Sequence, residues 1–508
     1  MFASFELWSG GMVHHAEKKK LPRSKTGCLP CKLILPRGTR KNNPALVWGR
    51  RNKKKCGEER PICRRCKQRG YKDCIWPESL SPSASSPKQG DANPDPTLLP
   101  RAQPSSVFLP RICESTGIPS EHAWQAICHA NRAIHGAYFD DHYTIVVPFF
   151  PLVAEFPAYA YTWLALGAAQ LAQHNPARDS YWRLMALNCH SKALCGLRKH
   201  LESSPEPQEW ALCSTLLLHI FEKFGDEHRP PSDAHVISAR GYFLRQFIQR
   251  PPTNMRHTLQ LESLIYRVAV TSLFRTSDSL IQDYNFLDPF VETWETHSAR
   301  GSLWQHSLWI GLQPPAFNAV FKLSNLLQCV PLSAPQMSEV DNIEHEMAKH
   351  LESHSILPSG WALVVQELEQ ERPPKMTLAE QSLTAHCIFG AAAWIVINKL
   401  RTPQITHDDE PVRELVHIAC RFLKCIMQAN FFSPVLIWPT IIIGLAASQP
   451  EDRTLAARYI NRLADVSGPR ASASVMGLFA RAWGQDDTDY VPGLSLLFDS
   501  ATLATVFI

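Results

Sequence analysis

From about residue 108 to the end of the chain, apolar residues recur at three- and four-residue steps, the period of an amphipathic helix. The pattern runs through EHAWQAICHANRAIHGA, FPAYAYTWLALGAAQLAQH, SYWRLMALNCHSKALCGLRKHL, EWALCSTLLLHIFEKF and HVISARGYFLRQFIQR. It resumes in NAVFKLSNLLQCV, LAEQSLTAHCIFGAAAWIVINKL, PVRELVHIACRFLKCIMQ and RTLAARYINRLADV. Breaks containing Pro or Gly separate most of these segments, alternating strand patterns are scarce, and no clear internal repeat emerges. The pattern predicts a large all-α domain of a dozen or so helices over residues 108–508.

Upstream the period vanishes. The segment ESLSPSASSPKQGDANPDPTLLPRAQPSS is rich in Pro, Ser and Asp. It cannot bury enough apolar surface to offset its ordering entropy, so residues 78–107 read as a disordered linker. Residues 1–27 form a polar tail ending in KKKLPRSK, a basic run read as a nuclear-import signal, which puts the expected location in the nucleus. Between tail and linker, residues 28–77 carry six cysteines. No heptad repeat follows them closely, so a coiled coil there is not expected.

Composition sharpens this division. An apolar fraction of 45% and a charged fraction of 19% over 508 residues suit two or more folded domains. The net charge of +5 conceals an asymmetry: residues 1–77 carry +15, leaving about −10 for the remainder. A basic head on a mildly acidic body suggests a polyanion reader joined to a regulatory module. The N-terminus lacks a basic region followed by a sustained apolar core, and the nine other cysteines sit singly within helical patterns, which points to a reducing compartment. The most apolar run, FFSPVLIWPTIIIGLAAS, is broken by Pro434 and Pro439 and reads as a buried helix, so no membrane partner is expected. No G-x-S-x-G, P-loop, H-E-x-x-H or G-x-G-x-x-G motif is present, and the chain is not expected to be an enzyme.

The chemistry is in the cysteines. Cys28/Cys31 and Cys63/Cys66 are C-x2-C pairs, a spacing that turns two thiolates toward one metal at Zn–S distances of about 2.3 Å. With Cys56 and Cys74 the set numbers six, and six thiolates give two Zn²⁺ four ligands each only if two sulfurs are shared. Such a binuclear cluster carries a charge of about −2, offset by Arg50, Arg51, Lys53, Lys54, Lys55, Arg64, Arg65 and Lys67 around it. A structural zinc knuckle or protein-binding zinc module is the plainer reading of the same pairs.

This segment resembles the fungal zinc binuclear cluster (Zn2Cys6) family of transcription factors, whose pattern is C-x2-C-x6-C-x5–12-C-x2-C-x6–8-C. The chain has spacings of 2, 24, 6, 2 and 7, so four of the five fit, and Pro61, NKKKC and RGYKDCIWP also match. The resemblance implies that Cys28 and Cys63 bridge both metals, that Cys31 and Cys56 complete one site, and that Cys66 and Cys74 complete the other. It also implies a short helix in the major groove, with Lys53 reading bases of a CGG-type site. Arg51, Lys54, Lys55, Arg64, Arg65 and Lys67 are expected on phosphates, where they fix register and add salt dependence.

The departure is the 24-residue gap between Cys31 and Cys56. Lengthening that loop from the family's spacing costs only about 1 kcal/mol of closure entropy. Structural zinc supplies roughly 10–16 kcal/mol, so the cluster can still assemble. Pro36, Gly38 and Pro44 would nevertheless break a continuous recognition helix across the insert 32–49. A retained intron is a second account. If Lys32 is encoded AAG, Leu33 TTR and Arg50 AGR, the junctions read as splice donor and acceptor. Removal of eighteen codons then yields CLPCKRNKKKC with the family spacing restored.

The C-terminal 400 residues more diffusely resemble the fungus-specific regulatory domain that accompanies this cluster, through YAYTWLALGAAQLAQ, LIWPTIIIGLAAS and EDRTLAARYINRL. Trp438, Pro439 and Gly444 read as packing residues. The combined expectation is a Zn2Cys6 module, a linker and an all-α domain in a nuclear, zinc-dependent regulator of RNA polymerase II transcription. Its expected partners are double-stranded DNA, coregulators or transcription machinery, and a second copy through the helical domain. The alternative is a zinc-stabilised interaction protein whose DNA reading is impaired by the insert.

Overall fold

The computed structural model of the chain describes residues 104–135, 146–174, 179–204, 208–222, 255–275, 283–298, 314–353, 358–371, 376–429, 432–467, 469–484 and 493–506, with residues 224, 247 and 312 singly. All belong to one compact unit, Ala102–Ile508; the other unit, Met1–Arg101, lies outside the described residues. Among the described residues there is no strand.

The first helices are α1 (Pro104–Thr116), α2 (Ser120–His135), α3 (Val146–Glu155), α4 (Pro157–His174), α5 (Asp179–Ser203) and α6 (Glu209–Glu222). They pack around α4, whose residues from Tyr159 to Ala172 are buried except for Tyr161. Gly167 brings α4 against α2, since a Cβ at that position would stand 1.6 Å from the Ala126 carbonyl oxygen. Only a residue without a side chain permits that approach.

The later helices are α7 (Met255–Ser272), α8 (Asp288–Ser298), α9 (Pro314–Leu327), α10 (Ala334–Ser353), α11 (Trp361–Glu371) and α12 (Leu378–Arg401). They continue with α13 (Glu410–Gln428), α14 (Ile437–Ala446), α15 (Pro450–Ser467), α16 (Pro469–Ala482) and α17 (Ser500–Leu503). Here α12 is central, packing on α9, α10, α13 and α14. Its start is a capping box: the Glu380 amide donates to Thr377 Oγ1 at 3.2 Å, and the Thr377 amide returns to Glu380 Oε2 at 2.5 Å. At the other end Lys399, 1% exposed, donates to the Pro403 and Ile405 carbonyls at 2.6 and 2.9 Å and stands over the Phe498 ring. Contacts of α7 with α3 and α6, and of α15 with α2 and α4, join the two groups of helices.

The run read as a buried helix forms a 3-10 turn, Pro434–Leu436, followed by α14, all ten residues of which are buried. Trp438 stacks on Phe389 with ring centres 5.9 Å apart, and Gly444 admits the Phe479 ring where a Cβ would be 2.2 Å from its tip. Trp483 Nε1 then donates to the Gly444 carbonyl at 2.9 Å. These are packing roles. Among the described residues the one helical stretch long and apolar enough to cross a membrane is Ala379–Arg401; 83% of its apolar window is buried inside the body, as in a core helix.

Sequence period and structure agree closely at α2, α4, α5, α6, α9, α12, α13 and α15. HVISARGYFLRQFIQR lies outside the described residues, apart from buried Phe247. Helix α1 begins at Pro104, inside the segment read as linker, because Phe108, Leu109 and Cys113 pack against the core around the fully buried Ile112. Helices α3, α7, α8, α10, α11 and α16 are additional. In α10 the buried residues Val340, Ile343, Met347 and Leu351 keep the helical step, but polar side chains fill the positions between them.

Candidate functional site

Every residue that the sequence assigns to metal or DNA lies outside the described residues. These are Cys28, Cys31, Cys56, Cys63, Cys66, Cys74, Lys53, Arg51, Lys54, Lys55, Arg64, Arg65 and Lys67, together with the insert 32–49. The candidate site within the described residues is a polar cleft among α8, α9 and α10.

Three helical repeats build the cleft. Asp288, Glu292 and Glu295 follow one another at i, i+4 and i+7 along α8. Asn318, Lys322 and Asn325 do the same on α9, and Glu339 and Glu346 are seven apart on α10. This spacing stacks side chains on one face of a helix. Elsewhere these helices are pinned. Trp294 Nε1 donates to Glu262 Oε1 of α7 at 3.3 Å. On α12, Trp394 Nε1 donates to Glu344 of α10 at 3.1 Å, and Arg401 reaches Asp341 and Glu344 of α10 at 2.5 and 2.6 Å.

The larger chamber, of about 430 Å³, has five carboxylates (Asp288, Glu292, Glu295, Glu339 and Glu346) against the single cation Lys322. Lys322 Nζ lies 3.2 Å from Asp288 Oδ1 and 3.1 Å from Glu339 Oε1. Burial lowers the lysine pKa, but the two carboxylates outweigh burial and hold it above its ordinary value. Glu295 is pushed up, first by burial and then by the like charges of Glu346 and Glu292, with Lys349 opposing. A smaller chamber of about 210 Å³ adjoins it, with Glu339 lining both. Its other walls are Tyr284, Asn325, Leu326, Cys329, Pro335 and Gln336.

Burial holds several other titratable groups in their neutral forms. Burial raises the thiols of Cys128 and Cys189 to about 12 and about 11 and pushes Cys213 and Cys387 higher still, so all four are protonated at neutral pH. His129 is lowered to about 4 by burial, then by Arg132 and His174. Among the described residues no group of three or more His, Cys, Asp or Glu is placed to hold a metal ion.

The class defined by this fold is a large all-helical domain, with buried thiols and a polar interhelical cleft. The model of the fungal specific transcription factor domain matches residues 128–490, more than two thirds of the chain, and the chain belongs to that family. The chain is also similar to Transcription factor lfc1 of Flammulina velutipes, at 32% identity over 100 residues, which cover 20% of this chain and 29% of that protein. It thus spans less than a third of the length of the curated relative it matches. No solved structure matches the chain. The family range begins beyond the cysteine module.

Proposed function

We propose that the chain is a zinc-dependent, sequence-specific DNA-binding regulator of RNA polymerase II transcription that acts in the nucleus. Residues 28–77 would grip a CGG-type site, and the helical body would supply control, coregulator contacts and a dimer surface. The observation that carries this reading is the conjunction of two features in one chain: a matched transcription factor domain over 128–490, and six cysteines with two C-x2-C pairs in a basic head. Cys28, Cys31, Cys56, Cys63, Cys66 and Cys74 would hold two Zn²⁺, with Lys53 on bases and Arg51, Lys54, Lys55, Arg64, Arg65 and Lys67 on phosphates. The metals supply a fold to a segment too small for its own core.

Fluorescence anisotropy on the zinc-loaded full chain tests the reading. CGG-containing duplexes should bind more tightly than scrambled ones, with affinity falling steeply as salt rises. Equal, weak binding to both duplexes overturns it. That result would favour the second reading, a zinc-stabilised interaction protein, for which the specific observation is Pro36, Gly38 and Pro44 within the gap. Sequencing the transcript across codons 25–80 separates the two accounts of the gap. Collapse of the interval to a single Lys codon restores the family spacing, whereas retention of every codon makes the loop real.

A further inference from the structure

We propose that the outer face of α5 is a docking surface for an acidic amphipathic helix of a protein partner. The first reason is exposed apolar surface gathered in one place. Among the described residues five large hydrophobic side chains are exposed, and three of them, Tyr181, Leu184 and Leu187, fall within two turns of α5. Leu184 and Leu187 are 70% and 62% exposed. Single exposed leucines are ordinary on a protein surface, whereas neighbours gathered on one face mark an interaction site.

The second reason is the period. Helix α5 packs chiefly on α4 and α6, and it turns Trp182, Ala186, Cys189 and Ala193 into the core. On the opposite side Tyr181, Leu184, Asn188, Ser191 and Cys195 are all exposed. They follow one another at steps of three and four, the seam along which a second helix packs. Ser191 and Cys195 are small and leave room for the side chains of that helix. At the head of the seam Tyr181 is held in place, its hydroxyl 2.6 Å from His122 Nδ1 and its ring set across that of Trp182.

The third reason is charge. Lys192 and Lys199 lie seven apart on one flank of the seam, and Leu187 and Leu194 lie seven apart on the other. Arg198 is already paired with Glu202 at 2.8 Å. Lys192 rests 4.9 Å from the centre of the Tyr161 ring, and among the described residues neither lysine has a carboxylate partner. A second copy cannot supply the missing charge. Two α5 helices packed parallel would set lysine against leucine, and packed antiparallel they would set lysine against lysine. Nucleic-acid phosphates would satisfy the lysines and leave the leucines in water. A helix with aliphatic residues at i, i+3 and i+7 and carboxylates along one flank meets both demands. That the partner is a coregulator rests on the function proposed above; the docking itself does not involve the cysteine module, so the two readings fail separately.

Fluorescence anisotropy of the full chain tests the surface with a labelled helical peptide carrying Leu at i, i+3 and i+7 and Glu along one flank. A scrambled peptide of the same composition is the reference. The basic head attracts both peptides through charge alone, so their difference reports on α5. The patterned peptide should bind at least about ten-fold more tightly than the scrambled one. The double change Leu184→Ser and Leu187→Ser should erase that difference, and because both side chains are mostly exposed the unfolding midpoint should stay where it is. Lys192→Glu with Lys199→Glu should weaken the patterned peptide by about ten-fold, and a peptide with Lys in place of Glu should recover binding to that variant. Equal binding of patterned and scrambled peptides overturns the proposal, as does a preference that survives the serine changes. Self-association of the full chain that the serine changes abolish gives the face to a second copy, and loss of duplex-DNA affinity on the same changes gives it to nucleic acid; either result also overturns the proposal. If the serine variant unfolds early, the lysine variant and its charge-reversed peptide decide.

Discussion

Replacing Gly167 by Ala should destabilise the helical body, although the same change would strengthen an isolated helix. Ala is favoured over Gly by about 1 kcal/mol in a helix interior, so local propensity predicts a gain. Packing predicts the opposite. The new Cβ would sit 1.6 Å from the Ala126 carbonyl oxygen and 2.4 Å from its carbon, far inside van der Waals contact. The obstructing atoms are backbone, so no side-chain rotation relieves them, and α2 must shift away from α4. Overpacking of this kind costs about 1–3 kcal/mol and sometimes more, and α4 is buried along most of its length. The net loss should be about 2 kcal/mol. Urea unfolding followed by circular dichroism measures it as a lower midpoint with an unchanged slope. Gly477→Ala in α16 is the internal control, because nothing lies within 4 Å of its Cβ position. That variant should gain up to about 1 kcal/mol from propensity alone. If both alanines stabilise equally, the close approach of α2 and α4 is wrong.

The proposed cluster makes two further predictions. Cys63→Ala removes a bridging thiolate and should empty both metal sites, so a variant retaining two zinc ions by native mass spectrometry would refute sulfur sharing. Lys53→Ala should erase most of the preference for CGG over scrambled duplexes while total affinity falls less, as anisotropy would record. His129 makes stability pH-dependent. Its folded pKa of about 4 lies below its unfolded value near 6.5, so between those values the unfolded chain binds more protons. Stability contributed by neutral His129 is therefore intact above pH 6.5 and declines by up to about 1.4 kcal/mol per unit as pH falls toward 4. His129→Gln should flatten that slope in denaturation curves at pH 4.5, 5.5 and 6.5, and an unchanged slope would assign the acid sensitivity elsewhere.

Local information was readable in advance, and long-range placement was not. The period of PVRELVHIACRFLKCIMQ foretells α13 because Val412, Val416, Ala419 and Leu423 all face one core. The cysteine spacings are equally local, since a C-x2-C turn needs nothing from the rest of the fold. Helix α10 escaped because its few apolar residues are diluted by Glu339, Asp341, Glu344 and Glu346. Glu339 and Glu346 acquire meaning only when α8 and α9 bring Asp288, Lys322 and Asn325 alongside, from up to about sixty residues away in sequence. An unpartnered amide oxygen leaves no trace in a sequence. It is a property of what fails to surround Asn325.

The burial of α14 has a consequence for how the chain is made. This decapeptide is apolar except for Thr440; α12 and α13 are made before it, but the Phe479 ring over Gly444, the Trp483 indole and the 3-10 turn Gly493–Phe498 that cover its other side are all encoded later. At a translation speed of about 5–20 residues per second, the ribosome needs roughly 3–10 seconds to pass from α14 to Phe498. Throughout that interval the most apolar helix among the described residues lacks the cover of its α16 side and is open to chaperones or to a neighbouring nascent chain on the same message. Because that cover is made after α14, completion of this side of the core waits on synthesis of residues 479–498.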